Sequence, residues 1–167
     1  MSLDSIMVSS IMTGAVKTIT QDQNIMSACK VMNDNNIGCV VIVKIQNREK
    51  LPVGIITERD ILRILGKLIV DLVKPLSSYM SKPIITIQSN ASVREAIQLM
   101  NSNSVRRLVV IDGKNKMLGI VTEKDIFKEI SKGQSLITSF IGENYPAEHR
   151  DVYARFTDYM FDILPKL

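Results

Sequence analysis

The sequence predicts an α+β fold in which one βαββα unit is used twice. Three observations carry this. The first is an internal repeat. Displacing the chain by 68 residues lays 8–43 on 76–111, so that Ser9, Ser10 and Met12 meet Ser77, Ser78 and Met80. Thr18-Ile19 then meets Thr86-Ile87, and Ala28, Met32, Asn33 and Asn35 meet Ala96, Met100, Asn101 and Asn103. Past Val43 the offset shortens by three, because the first copy has the longer turn QNREKLP, and GIITERDIL at 54–62 falls on GIVTEKDIF at 119–127. Six of those nine positions are identical and in order, which shared composition does not produce.

The second observation is helical periodicity. Ile25, Ala28, Cys29 and Met32 are spaced i, i+3, i+4, i+7, and Val93, Ala96, Ile97 and Met100 repeat that spacing. Each set is one apolar stripe of a helix. Ser92 with Glu95 predicts a capping box at the start of the second of these helices. The third observation is the pair of β-branched runs that follow, CVVIV at 39–43 and LVVI at 108–111. Each leads through a polar turn into VGIIT at 53–57 or LGIVT at 118–122, so each predicts a hairpin. ERDILRIL and EKDIFKEI then start the last helix of each unit. A short strand at Thr18 or Thr86 opens each unit. The boundaries expected are 1–70 for the first repeat, 71–132 for the second and 133–167 for a helical, aromatic-rich C-terminal extension. A unit of about 60 residues buries only about 60% of its surface alone, so the two copies are expected to cover each other.

Composition limits the function classes. Of 167 residues, 46% are hydrophobic and 23% charged, which suits a globular protein with a sizeable interior. No apolar run approaches the roughly 18 residues of a membrane span. MSLDSIMVSS lacks the basic flank and apolar stretch of a signal peptide. Cys29 and Cys39 lie in apolar sequence and are expected to be buried thiols of a reducing compartment. These points together predict a cytoplasmic protein with no membrane association. The net charge of +4 is scattered among acids and makes only a weak case for nucleic acid.

The duplicated pattern resembles the CBS domain, named for cystathionine β-synthase. The resemblance runs over 8–131. Its most specific element is G-h-h-T-x-x-D (h, apolar), present twice, each time after a V-V-h-h strand. CBS domains occur in tandem and pair with approximate two-fold symmetry. The resemblance implies regulation by AMP, ADP, ATP, S-adenosylmethionine or a related adenosine ligand, with AMP favoured. It also implies association into a homodimer and a role in regulating another, unknown protein, without chemistry of its own.

The motif residues suit that function and also have a purely structural reading. Thr57 and Asp60, like Thr122 and Asp125, stand where a strand becomes a helix, and Thr at N-cap with Asp at N3 makes a capping box. At the same place a carboxylate can accept hydrogen bonds from vicinal ribose hydroxyls, and a helix N-terminus favours phosphate. A cap can be lent to a ligand, so both roles stand. Gly54 and Gly119 permit close backbone approach or mark a bulge. Following the resemblance, Ile55 and Ile120 are expected against the adenine ring, with equal standing as core residues. The resemblance also assigns adenine-facing backbone to Val16-Lys17-Thr18 and Ile84-Ile85-Thr86.

VRRLVV at 105–110 is similar to the V-H-R-L-V-V stretch in the gamma subunit of AMP-activated kinase, where basic residues face ligand phosphates. Arg106 and Arg107 suit this through their planar, bidentate donors. A solvated arginine pair on a strand end is the alternative. Gly38 and Cys39 occupy the matching positions of the first repeat. Carried over, one cleft joins Ile55, Thr57 and Asp60 with Ile84, Ile85, Thr86, Arg106 and Arg107. The other joins Ile120, Thr122 and Asp125 with Val16, Lys17, Thr18, Gly38 and Cys39. Only the first has two guanidinium groups for phosphate, so a phosphorylated ligand should favour it.

Other chemistry finds little support. One histidine, His149, and two separated cysteines do not make a zinc site, and no nucleotide-loop, nucleophile-elbow or zincin motif occurs. The nine methionines are expected mostly as core filling. No enzyme is expected, and no catalytic cofactor. After Gly133 the repeat stops, and six of the eight aromatics lie between Phe140 and Phe161. AEHRDVYARFTDYMFDIL predicts a helix whose Val152, Phe156, Tyr159, Met160 and Ile163 form one side. Such a side needs cover, from its own module, a second chain or a partner. The sequence therefore predicts a stand-alone adenosine-ligand-binding regulatory module. A ligand-free dimeric scaffold and a nucleic-acid-binding protein are the rival readings.

Overall fold

A computed structural model of the chain describes residues 3–67 and 71–132. The predicted C-terminal extension and His149 lie outside the described residues. Two compact units emerge. One gathers Ala15–Ile85 with Gly113–Met117; the other gathers residues up to Gly14, Thr86–Asp112 and the described residues from Leu118 onward.

The first unit is built as the repeat predicts. Strand β1 (Thr18–Thr20) leads into helix α2 (Ile25–Asn35), strands β2 (Cys39–Gln46) and β3 (Glu49–Thr57), and helix α3 (Glu58–Leu65). The sheet order is β1-β2-β3. β1 runs parallel to β2, with Thr18 opposite Val41, and β2 runs antiparallel to β3. Asn24 caps α2 by accepting from the Ser27 amide at 3.0 Å, and Asn36 ends it in the left-handed region at φ 51°. On the α2 stripe Ile25, Ala28 and Met32 are buried, while Cys29 is half-buried. Both cysteines are free and only half-buried, so the expected full burial of the thiols does not hold.

Val40, Val41, Ile42 and Val43 are all buried, so the central strand is covered on both faces, as an unbroken β-branched run predicts. Complete burial of each such side chain contributes about 1.5–3 kcal/mol relative to exposure. The hairpin differs from expectation at its tip. Strand pairing continues through most of QNREKLP, and only Asn47 and Arg48 turn, both at positive φ (50° and 64°). That is the two-residue turn whose twist matches the strands. A register shift between Ile42 and Val43 accommodates the extra residue.

The second unit repeats the plan with β4 (Thr86–Gln88), α4 (Val93–Ser102), β5 (Arg107–Ile111), β6 (Met117–Thr122) and α5 (Glu123–Ile130), in sheet order β4-β5-β6. All four residues of the α4 stripe are buried. Its predicted capping box is present: the Ser92 amide and hydroxyl donate to Glu95 Oε2 at 2.6 and 2.8 Å.

Two short elements have no counterpart in the βαββα prediction: helix α1 (Val8–Ile11) and a 3-10 turn at Leu76–Ser78. They precede the first and second repeats, and each belongs to the unit of the other. In the α4 unit, the Val93 amide donates to Ile6 O, Val8 to Ala91 O and Ser9 to Ser89 O. In the α2 unit, Leu76 donates to Gln23 O and Ser77 to Gln21 O. Each arm thus satisfies backbone groups around the entry to a long helix. Val8 and Leu76, both fully buried, anchor the arms.

Candidate functional site

The strand-to-helix corners are built alike in both repeats. In the first, the Thr57 amide and hydroxyl donate to Asp60 Oδ2 at 2.9 and 2.6 Å, and the Asp60 amide donates back to Thr57 Oγ1 at 3.2 Å. In the second, Thr122 and Asp125 give 2.9, 2.6 and 3.3 Å. Both are complete capping boxes. Three consequences follow. The carboxylate rotamer is locked, the cap engages Oδ2 alone, and the threonine proton is already donated. Asp60 Oδ1 lies 3.6 Å from Arg63 Nη1, whose side chain is 68% exposed and so contributes little. The Asp60 side chain keeps only 14% of its surface.

The strand starts are tied to these corners. The Glu58 amide donates to Gly38 O at 3.2 Å, and the Glu123 amide donates to Arg106 O at 3.0 Å. The side chains then diverge. Glu58 is exposed. Glu123 is only 8% exposed, with Oε2 3.8 Å from Arg106 Nε. Burial pushes the Glu123 carboxyl above its ordinary value, and the Arg106 guanidinium pulls part of the way back. Nothing in the linear motif distinguishes Glu123 from Glu58, so sequence reading passed over it. Extending the β2–β3 register, in which Cys39 faces Thr57, by one residue would have set Gly38 beside Glu58, and by repetition Arg106 beside Glu123.

Gly54 and Gly119 serve close approach. A Cβ on Gly54 would lie 2.5 Å from Met80 Sδ and 3.1 Å from Ser81 O, and one on Gly119 would lie 2.7 Å from Met12 Sδ and 2.8 Å from Thr13 O. The arms cross the hairpins there and pair with them. Ile55 and Ser81 exchange backbone bonds at 3.2 and 2.9 Å, and Thr13 and Ile120 do so at 2.9 and 3.0 Å. Met12 and Met80 therefore match because each covers a glycine, a sharper role than core filling.

The early strands are held by their neighbours. Lys17 O accepts from the Val41 amide at 3.3 Å, and Lys50 Nζ donates to Thr18 Oγ1 at 3.5 Å. Val16, Thr18, Ile84, Ile85 and Thr86 are half-buried and Lys17 is exposed. Grouped by unit, Ile55, Thr57 and Asp60 fall with Val16, Lys17, Thr18, Gly38, Cys39, Ile84 and Ile85. Ile120, Thr122 and Asp125 fall with Thr86, Arg106 and Arg107. Arg106 is exposed and Arg107 half-buried. Among the described residues no three His, Cys, Asp or Glu side chains are placed to hold a metal ion. No described helix is long and apolar enough to cross a membrane.

A duplicated α+β unit with one threonine–aspartate corner per copy defines a tandem-repeat module. A family model described as CBS domain matches residues 8–67 and again 76–132. The chain belongs to the CBS domain family and carries two copies. An uncharacterized 17.7 kDa protein of Acidianus ambivalens is 33% identical over 123 residues, covering 74% of this chain and 72% of that relative. Two further curated relatives are longer, and the chain spans 48% of one and 32% of the other. Among solved structures, the CBS domain pair of protein MJ0100, in complex with 5′-methylthioadenosine and S-adenosyl-L-methionine, matches with TM-score 0.66 at 26% identity. That match covers 75% of this chain and 96% of the other. CBS domain protein PAE2072 of Pyrobaculum aerophilum, complexed with AMP, matches with TM-score 0.68 over 80% of this chain and 97% of its own. At 22% identity this second likeness is one of fold.

Proposed function

We propose that this chain is a regulatory module that binds an adenosine-containing ligand, with AMP favoured over ADP, ATP and S-adenosylmethionine, and passes the bound state to a partner protein. The observation that carries this is the corner geometry. In both repeats the cap spends Oδ2 and fixes the carboxylate, while Oδ1 takes no part in the cap. A locked carboxylate at a helix start accepts a ribose hydroxyl with little further ordering cost. The complex of the MJ0100 CBS domain pair with 5′-methylthioadenosine and S-adenosyl-L-methionine supports the ligand class.

In this reading Asp60 and Asp125 hold ribose, Thr57 and Thr122 hold the aspartates in place, and Ile55 and Ile120 border the adenine. Backbone at Val16-Lys17-Thr18 and Ile84-Ile85-Thr86 reads the adenine edge. Arg106 and Arg107 meet phosphate with the ligand held by Asp60; Gly38 and Cys39 offer no charge for the ligand held by Asp125. Regulation follows if the ligand binds one conformation more tightly than another, since only differential affinity shifts a population. We also propose a homodimer, favoured by Leu62 and Leu65, which α3 exposes at 71% and 52%.

Thermal denaturation against AMP, ADP, ATP, S-adenosylmethionine and NAD tests the ligand class. At a hundredfold excess over Kd, a native-state ligand contributes about 2.7 kcal/mol, a rise of several degrees at about 2–4 °C per kcal/mol. Absence of any shift at millimolar ligand overturns the proposal. In calorimetry Asp60→Ala should remove the tighter AMP phase and Asp125→Ala should spare it, while Arg107→Ala should weaken AMP more than adenosine. The reverse order of the aspartates would overturn the assignment of the arginines.

A further inference from the structure

The two strand starts share a backbone bond and carry opposite side-chain chemistry. Because each glutamate amide donates to the carbonyl just before the strand, the glutamate is seated beside whatever residue precedes the strand. In the first repeat that residue is Gly38, and a Cβ there would lie 3.0 Å from Glu58 Oε2. The glutamate leans over the glycine and stays exposed. In the second repeat the residue is Arg106, and Glu123 is buried against it with Nε and Oε2 3.8 Å apart. The Arg106 side chain nevertheless keeps 46% of its surface. The pair is close enough for attraction and too long for a hydrogen bond at this nitrogen.

We propose that Glu123 is a built-in competitor for Arg106, and that it sets how strongly Arg106 favours a phosphate-bearing adenosine ligand over a neutral one. This rests on the reading above, in which Arg106 meets ligand phosphate. A phosphate dianion offers a guanidinium more charge than a carboxylate does, and fits its planar fork. When Arg106 turns to phosphate, however, Glu123 loses its counter-charge in a site with little water. That cost falls only on ligands that draw on Arg106. Adenosine does not, so Glu123 lowers the affinity for AMP and leaves that for adenosine alone. The first repeat, with glycine in place of arginine, has no such device.

Glu123→Gln keeps the shape and removes the charge. Calorimetry at fixed ionic strength should show AMP binding about 1.4- to fivefold tighter, since partly exposed ion pairs are worth about 0.2–1 kcal/mol. Adenosine binding should not change. With Arg106→Ala already present, Glu123→Gln should no longer alter AMP affinity, because the coupling partner is gone. Glu58→Gln should leave the AMP-to-adenosine ratio unchanged. Equal changes for AMP and adenosine, a loss of AMP affinity, or a gain that persists without Arg106 overturns the inference. If wild-type protein binds AMP and the ratio is the same in Glu123→Gln, this inference falls alone. If wild-type protein binds neither AMP nor adenosine, the ligand reading falls and takes this one with it.

Discussion

Adding one methyl group at Gly119 should destabilise the protein more than adding it at Gly54, although the two glycines are equivalent in sequence. At Gly54 the nearest atoms to a new Cβ are Met80 Sδ at 2.5 Å and Cγ at 2.8 Å, both in a flexible side chain, with Ser81 O next at 3.1 Å. At Gly119 the methyl would meet Met12 Sδ at 2.7 Å and the backbone carbonyl of Thr13 at 2.8 Å. A thioether can rotate away, but that carbonyl is held by the Ile120 amide at 3.0 Å. Overpacking costs about 1–3 kcal/mol. Replacing glycine by alanine returns about 0.4–1 kcal/mol through the unfolded chain. Gly119→Ala should therefore lose about 1–2 kcal/mol, plus part of the two Thr13–Ile120 hydrogen bonds at about 0.5–1.5 kcal/mol each. Gly54→Ala should lose about 1 kcal/mol or less, the Met80 shift being the main term. Urea denaturation of both variants, with and without Met→Ala at the covering residue, is the assay. Met80→Ala should recover most of the loss at Gly54, and Met12→Ala should recover little at Gly119. Equal losses, or equal rescue, would refute the distinction between side-chain and backbone obstruction.

The two shifted carboxyls should pull stability in opposite directions on acidification. Backbone and then side-chain hydrogen bonds from Ser92 lower the Glu95 value, so its contribution is present above the ordinary carboxylate range and is lost as pH falls through the lowered value; Glu95→Gln should flatten that acid limb in urea midpoints. Burial raises Glu123, so its ionised form costs stability above the raised value, and the cost disappears as pH falls toward the ordinary range. Glu123→Gln should therefore gain stability at neutral pH, with the gain shrinking in acid. Leu62→Glu combined with Leu65→Glu should convert a dimer to a monomer in light scattering while leaving the melting temperature within about 2 °C, since exposed positions shift stability by about 0.5 kcal/mol or less. A dimer that survives both changes would remove α3 from the interface.

Most of the fold was legible because repetition and periodicity both report burial. The α4 stripe, the β-branched central strands and all three capping boxes follow from local side-chain chemistry and occur as read. The short elements were not legible. Val8–Ile11 and Leu76–Ser78 have too few residues for a period, and they are fixed by backbone bonds to distant carbonyls, which leave no mark on residue type. The hairpin tip was misjudged for a related reason. QNREKLP is polar enough to suggest a turn, but strand pairing is a backbone property and continues wherever a two-residue reversal can be formed. For the site, the threonine–aspartate corners could be read from spacing alone. The Glu123–Arg106 contact could not, because the residues are 17 apart and meet only once strand register is known.

The reciprocal arms mean that the inherited module and the folding module are out of phase. A fragment cut at the repeat boundaries, such as 1–70, would carry Leu3–Thr13, which belongs with β6 and α4, and would lack Leu76–Ser81, which completes β3 and α2. Its hairpin would present Gly54 and the unpaired backbone of Ile55 as an open edge, a template for strand pairing with other molecules. Trimming the first fourteen residues would likewise injure the far end of the sequence rather than the near one. Proteolysis or truncation at one repeat is therefore felt in the other, and neither copy can be exchanged as a cassette without its neighbour's leader.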